Sequence, residues 1–282
     1  MSIINSKVNA KVNSKINKVN SKVNTTPFSS NEITLIKDFS KLKYNGAPEF
    51  LYEGGDGFQG VKFYLKPGES INANGGAMNY MSSDITVNTT MSGGFLANLG
   101  RGISRILSGS TAFYNNFSNK TDTTKFISFA GINPGNVGCF YIPPGKKLKL
   151  VSNTYICSTP NLRISGKMQL GGFVLGYGLF YVTVEANETA GLIWAASYGD
   201  IIKIELKGGE SIKIDNGVLL GLDDDIWFES TTIGGLTSTF LSGEGLVTLI
   251  RNDYEVTKDI FLKGRSDSAY IEYISNIVNK NR

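Results

Sequence analysis

The sequence predicts an all-β protein of stacked or prism-like architecture, assembled from three tandem repeats. Three observations carry this. A strand–turn–strand signature rich in glycine recurs in register along the chain. Glycine itself reaches 33 of 282 residues, about 12% against roughly 7% in ordinary proteins. Charged residues are held to 18%, below the roughly 25% that is usual. With only seven prolines, such a composition points to many tight turns joining short strands. The length suits one large domain or two small ones, with a sizeable core.

Residues 1–31 read as a basic low-complexity tail. They hold Lys7, Lys11, Lys15, Lys18 and Lys22 and no acid. Without those five, 23 basic residues face 24 acidic ones, so the body of the chain is close to neutral. Val8, Val12, Ile16, Val19 and Val23 each follow a lysine and fall at spacings of 4, 4, 3 and 4. Three states suit this pattern: a disordered tail, a targeting or surface helix, and an oligomerising helix. Asn, Ser and Val are mediocre helix formers, which favours a disordered tail. A helix would show an aliphatic stripe beside a basic one, suiting an anionic membrane or an import receptor. No continuous apolar run of the secretory kind opens the chain. Pro27 ends the tail, and ITLIKDF at 33–39 begins a lead-in segment over 32–59.

The repeats occupy 60–264. LKPGESINANGGAM at 65–78 aligns with LKGGESIKIDNGVL at 206–219, a constant offset of 141 that preserves Leu65, Lys66, Gly68, Glu69, Ser70, Ile71 and Gly76. The register runs on through Asp84-Ile85 with Asp225-Ile226 and Gly93-Gly94 with Gly234-Gly235. A fainter middle copy lies at offset 77, with IPPGKKLKL at 142–150 and Gly171-Gly172. Each unit opens on alternating strands such as VKFYL and IKIEL, in which apolar and polar positions trade places with period two. Gly68 and Gly209 serve the first turn, and Gly76 and Gly217 are expected at positive φ in the second. Glu69 and Glu210 are expected to ligate turn amides or pair with a neighbouring lysine. A C-terminal segment, 265–282, follows.

One short helical insertion is expected in the first unit, where LANLGRGISRIL spans 96–107. Arg101 and Arg105 are i, i+4 neighbours there. They suit a phosphate or anionic headgroup, or else solvation on a packing helix. The uncharged run from 168 to 184 reads as buried strands rather than a membrane span.

Several chemistries are excluded. Histidine is absent, which removes Ser-His-Asp and Cys-His nucleophiles and every His-ligated metal site. Cys139 and Cys157 lack the pairing of a zinc site; a bridge between them is the alternative to two buried thiols in a reducing compartment, the reading favoured here. Asp223, Asp224 and Asp225 alternate faces if on a strand, so they converge poorly on a cation and read as a solvated turn. Trp194, Trp227, Tyr177, Phe180 and Tyr181 could stack bases, but glycine-rich alternating strands favour core or subunit contact. No phosphate-binding loop is present, and Gly176-Tyr177-Gly178 lacks the rest of a dinucleotide fingerprint.

The ordered series Pro67-Gly68-Glu69, Gly76-Ala77-Met78, Gly93-Gly94, Arg101 to Arg105 and Ser108-Gly109 through Phe113 resembles the altered-inheritance-of-mitochondria family. The likeness covers about 44–264. Where the family usually has Gly-Glu-Ser, this chain has Gly109-Ser110-Thr111, and a role for that carboxylate does not carry over. The resemblance implies a TRAP-like β-prism of three repeats that self-associates, no established enzyme activity and no cofactor. Fungal members are similar to organisers of the mitochondrial inner membrane, and bacterial members are of unknown role. Mitochondrial and cytoplasmic locations both remain open.

The expected function is therefore a non-enzymatic, self-assembling scaffold, with a membrane surface as a possible partner. A trimer is the natural guess from three repeats, with part of 171–181 in its interface. The alternative is a small-ligand or RNA-binding module in the manner of the tryptophan attenuator fold, and the neutral body disfavours RNA. Because charge and repeat pattern both stop before residue 32, deleting 1–31 should leave the thermal midpoint nearly unchanged while weakening binding to anionic vesicles. Thermal melting and vesicle co-sedimentation of the two proteins check this.

Overall fold

The computed structural model describes residues 30–36, 46–91, 113–151, 153–168, 180–232 and 246–280. Nearly all of the tail, the insertion with Arg101 and Arg105, the three double glycines and residues 171–179 lie outside the described residues.

Two lead-in strands come first, β1 (Thr34–Ile36) and β2 (Glu49–Glu53). Six strands follow: β3 (Gly60–Leu65), β4 (Ser70–Asn74), β5 (Met78–Met81), β6 (Thr86–Met91), β7 (Phe113–Ser118) and β8 (Lys125–Ala130). The next six are β9 (Val137–Ile142), β10 (Lys147–Val151), β11 (Tyr155–Ser158), β12 (Arg163–Met168), β13 (Phe180–Glu185) and β14 (Gly191–Ala196). The last six are β15 (Ile201–Leu206), β16 (Ser211–Asp215), β17 (Leu219–Asp223), β18 (Trp227–Thr232), β19 (Leu246–Arg251) and β20 (Lys258–Lys263). A helix, α1 (Asp267–Lys280), closes the chain. The fold is all-β with this one longer helix among the described residues.

Among the described residues these strands pair antiparallel, in a scheme that recurs in three sets. In the first set, β3 and β5 both pair with β8, while β4 and β6 both pair with β7. In the second, β9 and β11 pair with β14, and β10 and β12 with β13. In the third, β15 and β17 pair with β20, and β16 and β18 with β19. Two pairings sew the sets together, β11 to β4 and β17 to β10. The lead-in strands cover two open edges, β1 on β9 and β2 on β3.

Four sheets result: β2-β3-β8-β5, β1-β9-β14-β11-β4-β7-β6, β12-β13-β10-β17-β20-β15, and β16-β19-β18. Each set of six splits its strands between two successive sheets, so neighbouring sets share a layer. Three apolar clusters fill the spaces between layers. An outer strand such as β3 alternates, with Val61, Phe63 and Leu65 inward and Lys62 and Tyr64 outward. An inner strand such as β9 has core on both faces and is buried at all six positions, which is why VGCFYI shows no polar alternation.

The layers meet at one repeated contact. The fourth residue of β14 is Trp194, and its ring packs edge-on against Phe63, the fourth residue of β3, at 4.8 Å between centroids. The fourth residue of β20 is Phe261, and it packs edge-on against Phe140, the fourth residue of β9, at 4.9 Å. Phe50 from β2 adds a second edge to Trp194 at 4.9 Å. Such pairs add roughly 0.5–1.5 kcal/mol beyond the area they bury. The indole N–H of Trp194 is buried without a hydrogen-bond partner, so the ring is held there by packing alone.

Cys139 and Cys157 are both free thiols. They sit on the strands either side of Trp194, each in register with it. Two strand spacings, about 9.6 Å, separate them, beyond the reach of a disulfide. Burial pushes both thiols well above their usual pKa.

Truncating Trp194 or Phe261 to Ala should cost about 3–5 kcal/mol, the loss expected for emptying a large aromatic site in a packed core. Urea denaturation of each variant checks this, with Trp227→Ala as a surface control.

Candidate functional site

The turns of the first and third units share a frame. Gly68 and Gly209 take positive φ, +82° and +79°. The Glu69 carboxylate accepts from the Lys66 amide at 2.8 Å, and Glu210 from the Lys207 amide at 2.9 Å. Beneath each turn lies a fully buried asparagine that the sequence reading missed, Asn119 and Asn252. Asn119 donates through its side chain to the carbonyls of Leu65 and Thr123, each at 2.8 Å. Asn252 does the same to Leu206 and Val256, at 2.9 and 2.8 Å. Each also donates its own amide to the turn glutamate's carbonyl at 3.0 Å. In the middle unit, Ala186 fills the place with backbone bonds alone.

Gly76 has φ +86°, but Gly217 is a correction. It lies in a 3₁₀ turn, Asn216–Val218, and is not at positive φ. The Asp215 carboxylate accepts from its amide at 2.6 Å, so a side-chain cap makes the corner that a left-handed glycine makes in the first unit.

Asp224 and Asp225 lie in the expected turn, but Asp223 ends β17 and is buried. Lys258 reaches Asp223 at 3.2 Å and Asp225 at 2.8 Å, while Asp224 points away to Lys149 at 3.2 Å. Burial, then the neighbouring Asp225, raises the Asp223 pKa against the pull of Lys258. Among the aromatics, Trp194 is core, whereas Trp227 is partly exposed with the Arg251 guanidinium 4.4 Å from its ring centroid.

The surface that stands out is the outward face of β2-β3-β8-β5. Alternation sends Phe50, Phe63 and Phe129 inward and turns Leu51, Lys62, Phe126 and Ser128 outward, joined by Tyr80 from β5. Leu51, Met78, Tyr80 and Phe126 are 38–41% exposed. At the centre the Lys62 ammonium lies 3.4 Å from Glu53 and 5.6, 5.4 and 4.8 Å from the ring centroids of Tyr64, Tyr80 and Phe126. Glu53 also accepts from the hydroxyls of Tyr80 and Ser128. Partial burial works against its charge, but those bonds and Lys62 outweigh it and hold the carboxyl below its usual range. Lys62 is raised in turn, as nearby Tyr64, Tyr80 and Glu53 overcome its desolvation. Both groups therefore stay charged near neutral pH, which suits a fixed contact surface better than proton transfer.

Comparison with the other sets shows what this face is. Ser128 is the fourth residue of β8, the place that Trp194 and Phe261 hold in β14 and β20. In those strands the position is packed on the preceding set; in β8 no preceding set lies over it among the described residues, and Leu51, Met78, Tyr80 and Phe126 on that face are exposed. In β15, Lys203 repeats the position of Lys62, but it pairs with Asp259 at 2.9 Å and Glu205 at 3.1 Å where Lys62 has rings.

The sequence matches the family described as Mitochondrial biogenesis AIM24 over residues 51–252. The chain belongs to the mitochondrial biogenesis AIM24 family. A relative is the uncharacterized protein M6_Spy0233 of Streptococcus pyogenes serotype M6, 25% identical over 199 residues, 70% of this chain and 79% of that protein. The crystal structure of protein SPYM3_0169 from Streptococcus pyogenes has a similar fold, with TM-score 0.63 and 22% identity over 82% of this chain and all of that one. No helix among the described residues of this family member is long and apolar enough to cross a membrane.

Removing Lys258 leaves two close carboxylates without their cation. Lys258→Met should cost about 3 kcal/mol at neutral pH. The deficit should shrink on acidification, since a raised folded-state pKa lets Asp223 take a proton before it would in the unfolded chain. Urea melts at neutral and acidic pH check both the sign and the size.

Proposed function

We propose that this protein is a non-enzymatic, self-assembling scaffold: a stack of three equivalent β units, prism-like in its repeat scheme, whose outer surfaces serve contact rather than chemistry. One observation carries the reading. The sheet face that is a packing surface in the second and third units is open in the first, with exposed aromatic rings set around a neutralised Lys62–Glu53 pair. The threefold recurrence of the pairing scheme supports the repeat, and membership in the mitochondrial biogenesis family supports an organising role. The basic tail supports association with an anionic membrane, with the inner mitochondrial membrane as the site suggested by the family. The charged side chains near the open face are engaged with one another, which supports a structural use for them.

The expected solution state is a homo-oligomer. Light scattering at micromolar concentration should give a mass well above the 30.6 kDa of the chain. A soluble monomer of that mass that leaves a hydrophobic dye unbound would overturn the proposal.

A further inference from the structure

The three units differ at one equivalent edge. β3, β9 and β15 each open a set and pair on one side with the last strand of that set, β8, β14 or β20. On the other side β3 carries β2 and β9 carries β1. β15 ends its sheet among the described residues.

The difference shows in the core. The second and fourth residues of β3, Val61 and Phe63, are fully buried, as is Phe140, the fourth residue of β9. Phe50 of β2 and Leu35 of β1 stand beside those fourth residues. In β15 the matching Ile202 is 46% exposed and Ile204 is only partly buried. Charge at this edge is unbalanced as well. Glu205 lies directly opposite Asp259 in the ladder, and both acids share Lys203, at 3.1 and 2.9 Å. Like charges so placed disfavour a sheet, and the Glu205 side chain is 66% exposed.

The chain that covers the other two edges runs backward from unit to unit. β2 serves the first unit, and β1, upstream of it, serves the second, with twelve residues, 37–48, between them. Next upstream is the basic tail. It holds five Lys-Val-Asn or Lys-Ile-Asn triplets between Lys7 and Asn24. Thirteen residues, 21–33, separate Asn20 from β1, so the first four triplets have at least the length of chain that the preceding step uses.

We infer that β15 takes one of these triplets as an antiparallel neighbour, the cover that β2 and β1 give to β3 and β9. With the aliphatic residue opposite Ile204, lysine falls opposite Glu205 and asparagine opposite Lys203. The aliphatic side chain extends the row of Ile202 and Ile204, and the lysine gives the two acids a second cation. Main-chain bonds along β15 supply affinity and the side-chain pairs supply register, as in other strand additions. All five triplets fit alike, since each runs basic, aliphatic, polar. One edge takes one triplet, so the others stay available to the anionic membrane proposed above. A second copy of β15 fits less well, because it brings another Glu205 and Asp259 with a single lysine between them. The inference does not rest on self-assembly, since tail and edge belong to one chain.

Zero-length carbodiimide coupling of the full chain, in an equal mixture of isotope-labelled and unlabelled protein, reads the contact directly. Glu205 should join a lysine between Lys7 and Lys22 of its own chain, and Glu205→Gln should remove that product. Hydrogen exchange gives a second reading. Replacing Lys7, Lys11, Lys15, Lys18 and Lys22 by Glu should speed exchange at the Ile201–Leu206 amides at least about tenfold. Adding Glu205→Lys to that protein should restore protection. The thermal midpoint should move little, because the edge lies at the rim of the core. An edge that exchanges at one rate with either tail, and shows no coupling to Glu205, would overturn the inference. Coupling found only between labelled and unlabelled chains would overturn it in favour of a second copy's tail. Protection of β15 that falls on dilution and ignores the tail charges would overturn it in favour of a second copy's β15.

Discussion

The aromatic step between layers is the contact on which the fold depends. A β unit of six short strands has two faces to cover on each half-sheet, and a chain with 18% charged residues has little polar surface with which to do it. Sharing layers solves the problem: the outward face of one unit becomes the lid on the core of the unit before it. Trp194 over Phe63 and Phe261 over Phe140 are the same step taken twice. The cost shows in Trp194, whose buried N–H goes without a partner. Desolvating such a group costs free energy on the order of 1–3 kcal/mol, which the ring's edge contacts and burial must exceed.

Two of the buried polar groups answer a need that the backbone creates. Tight turns at 66–69 and 207–210 leave carbonyls of the preceding strands facing inward, away from water. Asn119 and Asn252 meet them with side-chain amides and so settle the distance between two loops. In the middle unit Ala186 serves with backbone bonds alone, which shows that the asparagine is one solution to the corner and not a requirement of the topology. The lysine clamps on the aspartate run follow the same logic: Lys258 stands between Asp223 and Asp225 because two carboxylates so close cannot both stay charged without a cation.

The all-β class and the strand starts in the first and third units were legible because period two and the Gly-Glu-Ser turn are local signals. The shared layers were not. Whether β9 is an edge or a centre depends on what packs across it, and VGCFYI reads only as apolar. Asn119 and Asn252 escaped notice because they follow a different offset, 133 rather than 141, the loops before them differing in length. Gly217 misled because a glycine at a repeat position need not share its partner's φ once Asp215 supplies a cap. The open face depends on contrasting Ser128 with Trp194 and Phe261, a comparison that only the strand register makes possible.

That contrast also decides how copies of the chain can meet. A stack built by a repeated step could in principle continue from molecule to molecule, and the product would be a fibre. Both parts of the step are missing at the ends. At the head Ser128, bound to Glu53 beside Lys62, stands at the strand position that Trp194 and Phe261 hold in the later sets. At the foot the acceptor is Ile204, the fourth residue of β15, where the other units have Phe63 and Phe140. Charge on the outward side of β15, Lys203 with Glu205 and Asp259, adds a polar barrier of the kind that blunts exposed strands. A second copy therefore cannot extend the stack by the step its units use.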